Sequence, residues 1–497
     1  MKELLNRNQL PAAQAGAGPV TVLQIGEGNF LRGFVDWMIH ECRRQGLYEG
    51  SIAVSQPRPS GKKKLDALRA QDGLYTLVTR GMELGKQVER SEIISVFSEM
   101  IDPYEQWQAF LQIAERPELQ VIVSNTTEAG LSYQPEELRE GEPVASFPGK
   151  ITLLLYRRYK TFNGAADAGL LLLPCELLER NGDELQRCVL QYCADWQLPE
   201  AFREWVVRHN RFLNSLVDRI VTGYPDDEAE AWFEEWGYRD ALLNTAEPYH
   251  FWAIEGEPAL DDILPFRKAG LNVQWVEKLQ PYQLRKVRIL NGAHTLMTPL
   301  GILLGKEQVR EVMEDEQLGA FIRDTVEQDI IPQLPLPAEQ LRAYAADVFE
   351  RFRNPYIRHR LSDIAMNSLS KFTVRLLPAI AAYLDQGAPV PERLVRGFAG
   401  LLRYYKVEQA ADGGYYGSAL QGGASYQVKD DAAAIERLRS AWHEAFACSG
   451  AAAPDYRVAA EKLLGCSEVW GRDLAAEAGL VAAVADQLAA LEKEMTR

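Results

Sequence analysis

The sequence has few residues that could form disulfides or bind metal ions, with six cysteines and six histidines among 497 residues. The cysteines form no CxxC pair, and the histidines, at 40, 209, 250, 294, 359 and 443, show no ligand spacing. Scattered cysteines are typical of reduced thiols and argue against a disulfide framework or a zinc site. We therefore expect no bound metal.

Positive charge is also scarce, because 54 lysines and arginines stand against 70 acidic residues and give a net charge of -16. An acidic chain repels phosphate backbones and anionic lipids, so we expect neither a nucleic-acid nor a membrane partner. The sequence also lacks a signal-peptide core and an apolar run of membrane-spanning length, which predicts a cytoplasmic protein. It leaves open a monomer or a small homo-oligomer.

The chain changes character near residue 276. Before it, apolar strand-like runs at 20–25, 51–55, 73–80, 93–96, 121–124, 170–174 and 246–256 are separated by helical stretches. After it, apolar residues recur at spacings of three and four, and the glycine-rich stretch 411–424 is predicted to be a loop. We predict an α/β fold, with a Rossmann-type domain over residues 1–275 and a mostly α-helical domain over residues 276–497.

The first strand leads into a glycine-rich turn. The strand ends at Ile25, and Gly26-Glu27-Gly28-Asn29-Phe30-Leu31-Arg32-Gly33 follows. A strand, a glycine turn and a helix together can receive a pyrophosphate on backbone N–H groups. The spacing is GxGxxxxG rather than GxGxxG, so a plain strand-to-helix turn is the alternative.

Two later strand ends bear on the cofactor. The second strand ends in Gln56-Pro57-Arg58, without the acidic residue that usually holds the ribose of NAD. Arg58 could accept the 2′-phosphate of NADP, so NAD and NADP both stay open. The strand at 121–124 runs into Asn125 and Thr126, in a polar turn where ligands lie in open α/β sheets. A capped helix start explains the same residues.

The stretch Arg285 to His294 carries the strongest chemical signal, since Lys286, Asn291 and His294 stand five and three residues apart. On an α-helix, Asn291 would lie about 140° and His294 about 80° around the axis from Lys286, on one broad side. An amine, an amide and an imidazole together suit proton removal from a hydroxyl beside a developing oxyanion. A solvated lysine followed by an Asn-Gly turn is the alternative.

These residues resemble the signatures of the mannitol dehydrogenase family, also called the polyol-specific long-chain dehydrogenases. Its K-x4-N-x2-H signature is matched by Lys286, Asn291 and His294, and its GxGxFxR-type cofactor turn by Gly26, Gly28, Phe30 and Arg32. The resemblance covers nearly the whole chain and implies an NAD-dependent dehydrogenase of two domains. It also implies the following cofactor residues: Ile25, Gly26, Gly28, Asn29, Phe30, Arg32, Asn125 and Thr126.

The resemblance further implies the catalytic roles. Lys286 would be the general acid/base, Asn181 and Asn291 would polarise the carbonyl oxygen, and His294 would bind a substrate hydroxyl. Within the family the chain is most similar to members that interconvert tagaturonate and altronate in hexuronate catabolism. Fructuronate/mannonate and mannitol/fructose are alternative substrate pairs, and a cofactor-binding sensor without turnover is an alternative of another class.

A sugar-acid substrate needs a cation for its carboxylate. Lys371, Arg375 and Arg358 are the candidates in the helical domain, although each could be an ordinary surface charge.

Overall fold

The computed structural model describes residues 2–10, 18–139, 141–420, 424–449 and 455–494. The chain divides into two compact units, Met1–Leu279 and Gln280–Arg497.

The first unit alternates strands and helices. Its strands are β1 (Val20–Ile25), β2 (Ser51–Ser55), β3 (Tyr75–Glu83), β4 (Lys86–Ile94), β5 (Phe97–Ile101), β6 (Val121–Ser124), β7 (Leu171–Pro174), β8 (Arg211–Phe212), β9 (Ser215–Asp218), β10 (Val221–Gly223), β11 (Asn244–Ala246), β12 (Phe251–Glu255) and β13 (Val273–Val276). Its α-helices are α1 (Asn29–Arg32), α2 (Val35–Arg44), α3 (Lys62–Ala70), α4 (Trp107–Gln112), α5 (Phe147–Thr161), α6 (Asn181–Asp195), α7 (Glu200–His209) and α8 (Ala229–Trp236).

The main sheet of the first unit is parallel and has the order β5-β2-β1-β6-β7-β8. Leu23 of β1 pairs with Ala53 on one side and with Ile122 on the other. The strand order therefore reverses direction between β1 and β6, which makes the carboxyl ends of these two strands the switch point of a doubly wound sheet. Ligands bind at such a point in open α/β sheets.

Burial on both faces explains why β1 is mostly apolar. Val22 and Val54 belong to the hydrophobic core on one face of the sheet. Leu23, Ile25 and Ala53 belong to a second core on the opposite face. Successive side chains of a strand point to opposite faces, so a parallel sheet covered by helices on both sides needs a continuous apolar run.

Two smaller sheets complete the first unit, with the orders β10-β11-β3-β4 and β13-β12-β9. The runs at 73–80 and 93–96 were predicted as strands. The first lies in β3, but the second falls at the end of β4, which forms a long antiparallel hairpin with β3. The third strand on that side of the main sheet is instead β5, which was not predicted.

The second unit is mostly helical. Its α-helices are α9 (Gln280–Arg285), α10 (Gly292–Leu303), α11 (Val309–Glu314), α12 (Glu316–Thr325), α13 (Ala338–Phe352), α14 (Leu361–Ile364), α15 (Ser368–Arg375), α16 (Leu377–Asp385), α17 (Glu392–Tyr404), α18 (Ala432–Ser449), α19 (Tyr456–Leu464), α20 (Ser467–Trp470) and α21 (Leu480–Glu494). Two π-helical segments, Lys286–Asn291 and Val326–Ile330, lie among them.

Short 3₁₀ turns occur in both units, at Arg7–Gln9, Pro59–Gly61, Ile113–Glu115, Ala166–Ala168, Pro258–Asp262, Ile331–Gln333 and Leu474–Ala476. The predicted fold class, a Rossmann-like part followed by a mostly helical part, is confirmed. No described helix is both long enough and apolar enough to cross a membrane.

The stretch 411–424 was predicted to be a loop, and the structure corrects this prediction. Strand β15 (Tyr415–Ser418) lies inside it and pairs with β14 (Glu408–Gln409) and β16 (Ser425–Val428). Glycine at 413, 414 and 417 made the stretch look like a loop, but aromatic Tyr415 and Tyr416 favour a strand. Residues 421–423 of the stretch lie outside the described residues.

Helices α10 and α17 pack closely. A side chain added at Gly397 or Gly400 of α17 would overlap Leu296 or Leu300 of α10. Glycine therefore lets the two helix backbones approach each other, and this contact fixes α10, which carries His294.

Candidate active site

The glycine turn lies at the switch point of the main sheet. Gly26 has φ +129°, and a Cβ there would come within 2.8 Å of the Asn125 carbonyl oxygen. Its N–H donates to the Ser55 carbonyl at 2.8 Å, and the Asn125 N–H donates to the Ile25 carbonyl at 3.1 Å. The turns after β1 and β6 therefore touch, as the predicted cofactor cradle requires, and only glycine fits at position 26.

Gly28 differs from the other glycines of the turn. A Cβ at Gly28 would meet nothing within 4 Å, whereas one at Gly33 would lie 2.8 Å from Val221. The fold thus needs a small residue at position 33 but not at position 28. Open space beside Gly28, where α1 begins, fits the approach of a dinucleotide phosphate to the backbone.

Several predicted cofactor side chains are engaged within the protein. The buried Arg32 guanidinium donates to the Leu242 carbonyl and, at 2.7 Å, to the Asn29 side-chain oxygen. The Phe30 ring stacks on Phe34 with centroids 4.9 Å apart. Arg32 and Phe30 therefore help to hold the shape of the turn, and their predicted contact with the cofactor stays a prediction.

Thr126 is held by an acidic residue that the sequence did not single out. The Thr126 N–H and hydroxyl donate to Glu176 Oε1 at 2.9 and 3.1 Å, and the Ser124 hydroxyl donates to Oε2 at 3.0 Å. Glu176 is buried directly after β7, and burial raises its pKa. The carboxyl group fastens the turn after β6, so the Thr126 side chain also acts as framework.

Asn181 has a different role from the predicted one. Its amide nitrogen lies 3.0 Å from the Pro174 and Glu176 carbonyls and 3.1 Å from the Ser215 carbonyl. Its amide oxygen accepts from the Gly182 and Ser215 N–H groups. Because backbone carbonyls take up both amide hydrogens, none is left to polarise a substrate oxygen. Asn181 ties the end of β7 to β9.

A carboxylate from another segment, that of Glu27, lies at the end of β2. A Cβ on Gly61 would lie 2.6 Å from Glu27 Oε1 and 2.8 Å from Gln56 Cβ, so Glu27 and Gln56 face the same small space. Both atoms of the buried Gln56 amide lack a hydrogen-bond partner among the described residues. Glu27 thus brings to the strand end the acid that the sequence of β2 lacks. A carboxylate there suits NAD and disfavours the 2′-phosphate of NADP.

In the second unit, Lys286 and Asn291 bound a π-helical turn rather than part of an α-helix. An α-helix separates residues five apart by about 140° around its axis. A π-helix instead joins residues i and i+5 by its main-chain hydrogen bond. The π-helical turn therefore brings the side chains of Lys286 and Asn291 closer to the same side of the helix than an α-helix would. His294 lies about one turn further along the chain, in α10.

The two arginines beside Lys286 anchor this turn. The buried Arg285 guanidinium lies over the Tyr344 ring, 4.1 Å from its centroid. Arg288 donates to the carbonyls of Val374 and Arg375 at 2.8 and 2.6 Å, at the end of α15. These contacts lock the π-helical turn to α13 and α15.

His294 lies in an aromatic and cationic environment. Its ring centroid is 4.4 Å from that of Phe352 and 4.9 Å from that of His359. Burial first, and then the charges of His359, Arg351, Arg375 and Lys371, hold the pKa of His294 well below its ordinary value. The imidazole is therefore neutral near pH 7, and its Nε2 has no hydrogen-bond partner among the described residues.

Three cations lie near enough to His294 to lower its pKa, and two of them were predicted. Arg375 donates to the Thr295 hydroxyl at 3.1 Å, and the Lys371 ammonium donates to the Ile364 carbonyl at 2.8 Å. The third, the buried Arg351, was missed because only tertiary packing brings α13 to α10. Arg358, which was also predicted to bind the substrate, is exposed and lines a separate cavity. We therefore do not assign it to the cluster around His294.

The second unit thus carries a lysine, an amide and a neutral imidazole within nine residues, and three cations act on the imidazole. The Asn291 side chain makes no hydrogen bond to any described residue, so its amide can serve a ligand, unlike that of Asn181. No group of His, Cys, Asp and Glu in the described ranges could hold a metal ion. The arrangement suits proton transfer at a hydroxyl or carbonyl of an anionic substrate.

Comparison with known proteins agrees with this fold. The Mannitol dehydrogenase Rossmann domain matches residues 20–267, and the Mannitol dehydrogenase C-terminal domain matches residues 278–492. The chain belongs to the mannitol dehydrogenase family, which confirms the resemblance seen in the sequence. It is an NAD-dependent dehydrogenase of that family.

Its relatives include two proteins named altronate oxidoreductase. The one from Halalkalibacterium halodurans is 41% identical over 471 residues, covering 95% of this chain and 90% of the relative. The one from Escherichia coli O1:K1 / APEC is 40% identical over 504 residues, covering 99% and 98%. Pseudomonas fluorescens mannitol 2-dehydrogenase, solved as a ternary complex with NAD and D-mannitol, shares the fold with a TM-score of 0.62, 24% identity and coverage of 99% and 98%.

Proposed function

We propose that this protein interconverts D-tagaturonate and D-altronate with NAD, in hexuronate catabolism. The observation that carries the proposal is the cluster in the second unit, where Asn291 and a neutral His294 accompany Lys286 beside three cations. The relatives named altronate oxidoreductase, about 40% identical over nearly the full length, support the same substrate pair.

Lys286 is the proposed acid/base. In the oxidation of altronate, its neutral amine accepts the proton of the hydroxyl on the carbon being oxidised, and in the reverse direction its ammonium returns that proton. NAD, when bound, takes up the hydride from the same carbon. We propose that Gly26, Gly28, Asn29 and Asn125 hold the cofactor through the backbone of the two turns, as the open space beside Gly28 suggests.

Asn291 and His294 have distinct proposed tasks. The Asn291 amide donates to the substrate oxygen on which negative charge develops, and a fixed amide dipole is effective there because it needs no reorganisation. His294, being neutral, can either accept from or donate to a neighbouring substrate hydroxyl through Nε2. Its neutrality also avoids a further positive charge beside the lysine.

The cations select for the acid group of the substrate. A carboxylate loses water on binding, and this costs several kcal/mol unless a positive charge replaces the water. Lys371 and Arg375 lie on one helix and Arg351 on another, all close enough to His294 to shift its pKa. In a protein of net charge -16, such a cluster is best explained by an anionic ligand.

The other assignments also stay proposals. Residues 1–275 are proposed to hold the cofactor, and residues 276–497 to supply the catalytic lysine and the substrate site. We further propose a cytoplasmic location and a monomer or small homo-oligomer.

The test is an absorbance assay of reduced-nicotinamide oxidation with tagaturonate, fructuronate and fructose at equal concentrations, using NADH and NADPH in parallel. We expect the highest kcat/KM with tagaturonate and NADH. Preference for fructuronate would reassign the substrate within the family, and preference for fructose would overturn the sugar-acid proposal. Cofactor binding without turnover of any substrate would favour a sensor.

A further inference from the structure

The second unit contains a cavity outside the cluster around His294. Its volume is about 780 Å³, within the range of small-molecule sites. Its main walls are residues 358–366, which include α14, and the extended residues 424–429, and residues 305–308 before α11 close one side. Neither Lys286, Asn291 nor His294 lines it.

Three cations of this cavity form no ion pair with a described residue. Arg358, Arg360 and Lys429 are exposed, and their side chains make no ion pair or hydrogen bond with any residue in the described ranges. A fourth cation, Lys306, is already paired with Asp315 at 2.8 Å. Three cations without an ion-pair partner around one cavity together provide donors and charge for an anion.

The cavity also offers groups for hydroxyls. Glu307 and Asp363 line it, as do the Ser362 hydroxyl and the Gln427 amide. Stacked rings of Tyr404 and Tyr426, with centroids 4.8 Å apart and planes at 8°, form part of the wall. A bare inorganic anion would be repelled by the two carboxylates, whereas the hydroxyls of a polyol can donate hydrogen bonds to them. We propose that this cavity binds a small anionic sugar, either a sugar acid or a sugar phosphate.

The cavity walls are connected to residues of the candidate active site. His359 faces His294, while its neighbours Arg358 and Arg360 line the cavity, as alternation along an extended segment requires. On the opposite wall, the Lys429 carbonyl accepts from the Asn367 N–H at 3.0 Å, at the start of α15. A ligand that contacts both walls would therefore link the segment of His359 to helix α15, which carries Lys371 and Arg375.

The proposal is tested by calorimetric titration of the full chain with gluconate, glucose 6-phosphate and glucose. We expect saturable binding of gluconate or glucose 6-phosphate and none of glucose, and the stronger of the two anions identifies the ligand class. Removing two charges in R360M/K429M should weaken that binding at least 10-fold. The matched variant R353M, which removes an exposed arginine outside the cavity, should bind like the wild type.

Three results of the titrations would overturn the proposal. The first is the absence of saturable binding by both anions, and the second is equal binding in R360M/K429M and the wild type. The third is loss of the probe's binding in Lys371→Met with retention in R360M/K429M, since the anion would then occupy the candidate active site. Hydrogen exchange of the wild type gives an independent measurement that needs no folded double variant: the anion should slow exchange in residues 356–361 and 425–430, and unchanged exchange there contradicts the proposal.

Discussion

Arg288 donates a 2.6 Å hydrogen bond to the main-chain carbonyl of Arg375. Arg288 belongs to the π-helical turn and Arg375 ends α15, so the bond joins the segment of the proposed base to the helix of the proposed carboxylate cations. Arg375 in turn donates to the Thr295 hydroxyl on α10. The groups for chemistry and those for substrate charge are therefore fixed to one framework within the second unit.

Lys286→Ala should lower turnover by about 10²-fold or more, because acid–base catalysis typically contributes that much. NAD affinity, measured by calorimetry, should stay near that of the wild type, since the lysine lies outside the glycine turn. Lys278→Ala, which removes an exposed lysine, serves as the matched control and should keep full activity. Near-normal turnover of Lys286→Ala at neutral pH would disprove the assignment.

Gly28→Val should weaken NAD binding at least ~10-fold, a loss of about 1.4 kcal/mol. A Cβ there meets no protein atom within 4 Å, so the thermal transition without ligand should barely change. Gly33→Val gives the contrast, because its side chain would press on Val221 and cost about 1–3 kcal/mol by overpacking. Unchanged NAD affinity in Gly28→Val would move the cofactor away from this turn.

Lys371→Met keeps most of the aliphatic stem and removes the charge. Efficiency on tagaturonate should fall at least ~10-fold, since 1.36 kcal/mol corresponds to tenfold in rate. Activity on any neutral ketose that the wild type accepts should fall far less, because the missing charge has no carboxylate to meet there. Arg353→Met is the control. Equal losses on charged and neutral substrates would assign Lys371 to the common chemistry or to the fold.

His294 should not titrate in the working pH range. Its pKa is held well below 6.5 by burial and by the nearby cations, so the imidazole stays neutral above that pH. His294→Gln retains a hydrogen-bonding side chain and should lower kcat/KM by the same factor at pH 6.5 and pH 8.5. If an ionisation step between these pH values disappears in the variant, the imidazole is charged in the free enzyme and the assignment is wrong.

Lys150 should make the first unit more stable as the pH rises. Burial lowers the pKa of this lysine from 10.5 to about 8 in the folded state. Below pH 8 both states hold the proton, and between 8 and 10.5 only the unfolded state does, so the free energy of unfolding rises with pH. Relative to Lys150→Met, the wild type should gain about 2 kcal/mol between pH 7 and 9.5.

The measurement is urea unfolding of both proteins at the two pH values. Groups common to both proteins cancel in the difference, and Lys160→Met, which removes an exposed lysine of the same helix, should show no such change. A gain that is absent, or that has the opposite sign, would mean that the ammonium is better solvated by its contacts with Pro57, Tyr104 and Ala145 than its burial indicates.

The strands of the main sheet could be predicted where both faces are buried. Strands β1, β2 and β6 match the predicted ranges because an apolar run between turn residues has one consistent explanation. Strand β4 was largely missed, since its sequence KQVERSEII is mostly polar and exposed. Hydrophobic periodicity reflects which side chains are buried, and a solvent-exposed edge strand buries too few side chains to give a clear pattern.

The candidate site could be predicted only as far as local spacing reaches. Lys286, Asn291 and His294 lie within nine residues, and the sequence brings them together without tertiary information. Arg351 and Glu176 become relevant through packing between distant elements, which no local pattern encodes. Asn181 was misassigned for the related reason that only the structure reveals the backbone carbonyls that occupy its amide.

The π-helical turn makes chain length between Lys286 and Asn291 a functional property. Deleting one residue from this six-residue segment would let an α-helix continue through it. His294 would then rotate by about 100° and move by about 1.5 Å relative to the lysine. Replacing Val287 or Leu290 by another apolar residue changes neither the rotation nor the displacement of His294 relative to the lysine. An engineer who transfers this site to another scaffold must therefore preserve the residue count before the residue types.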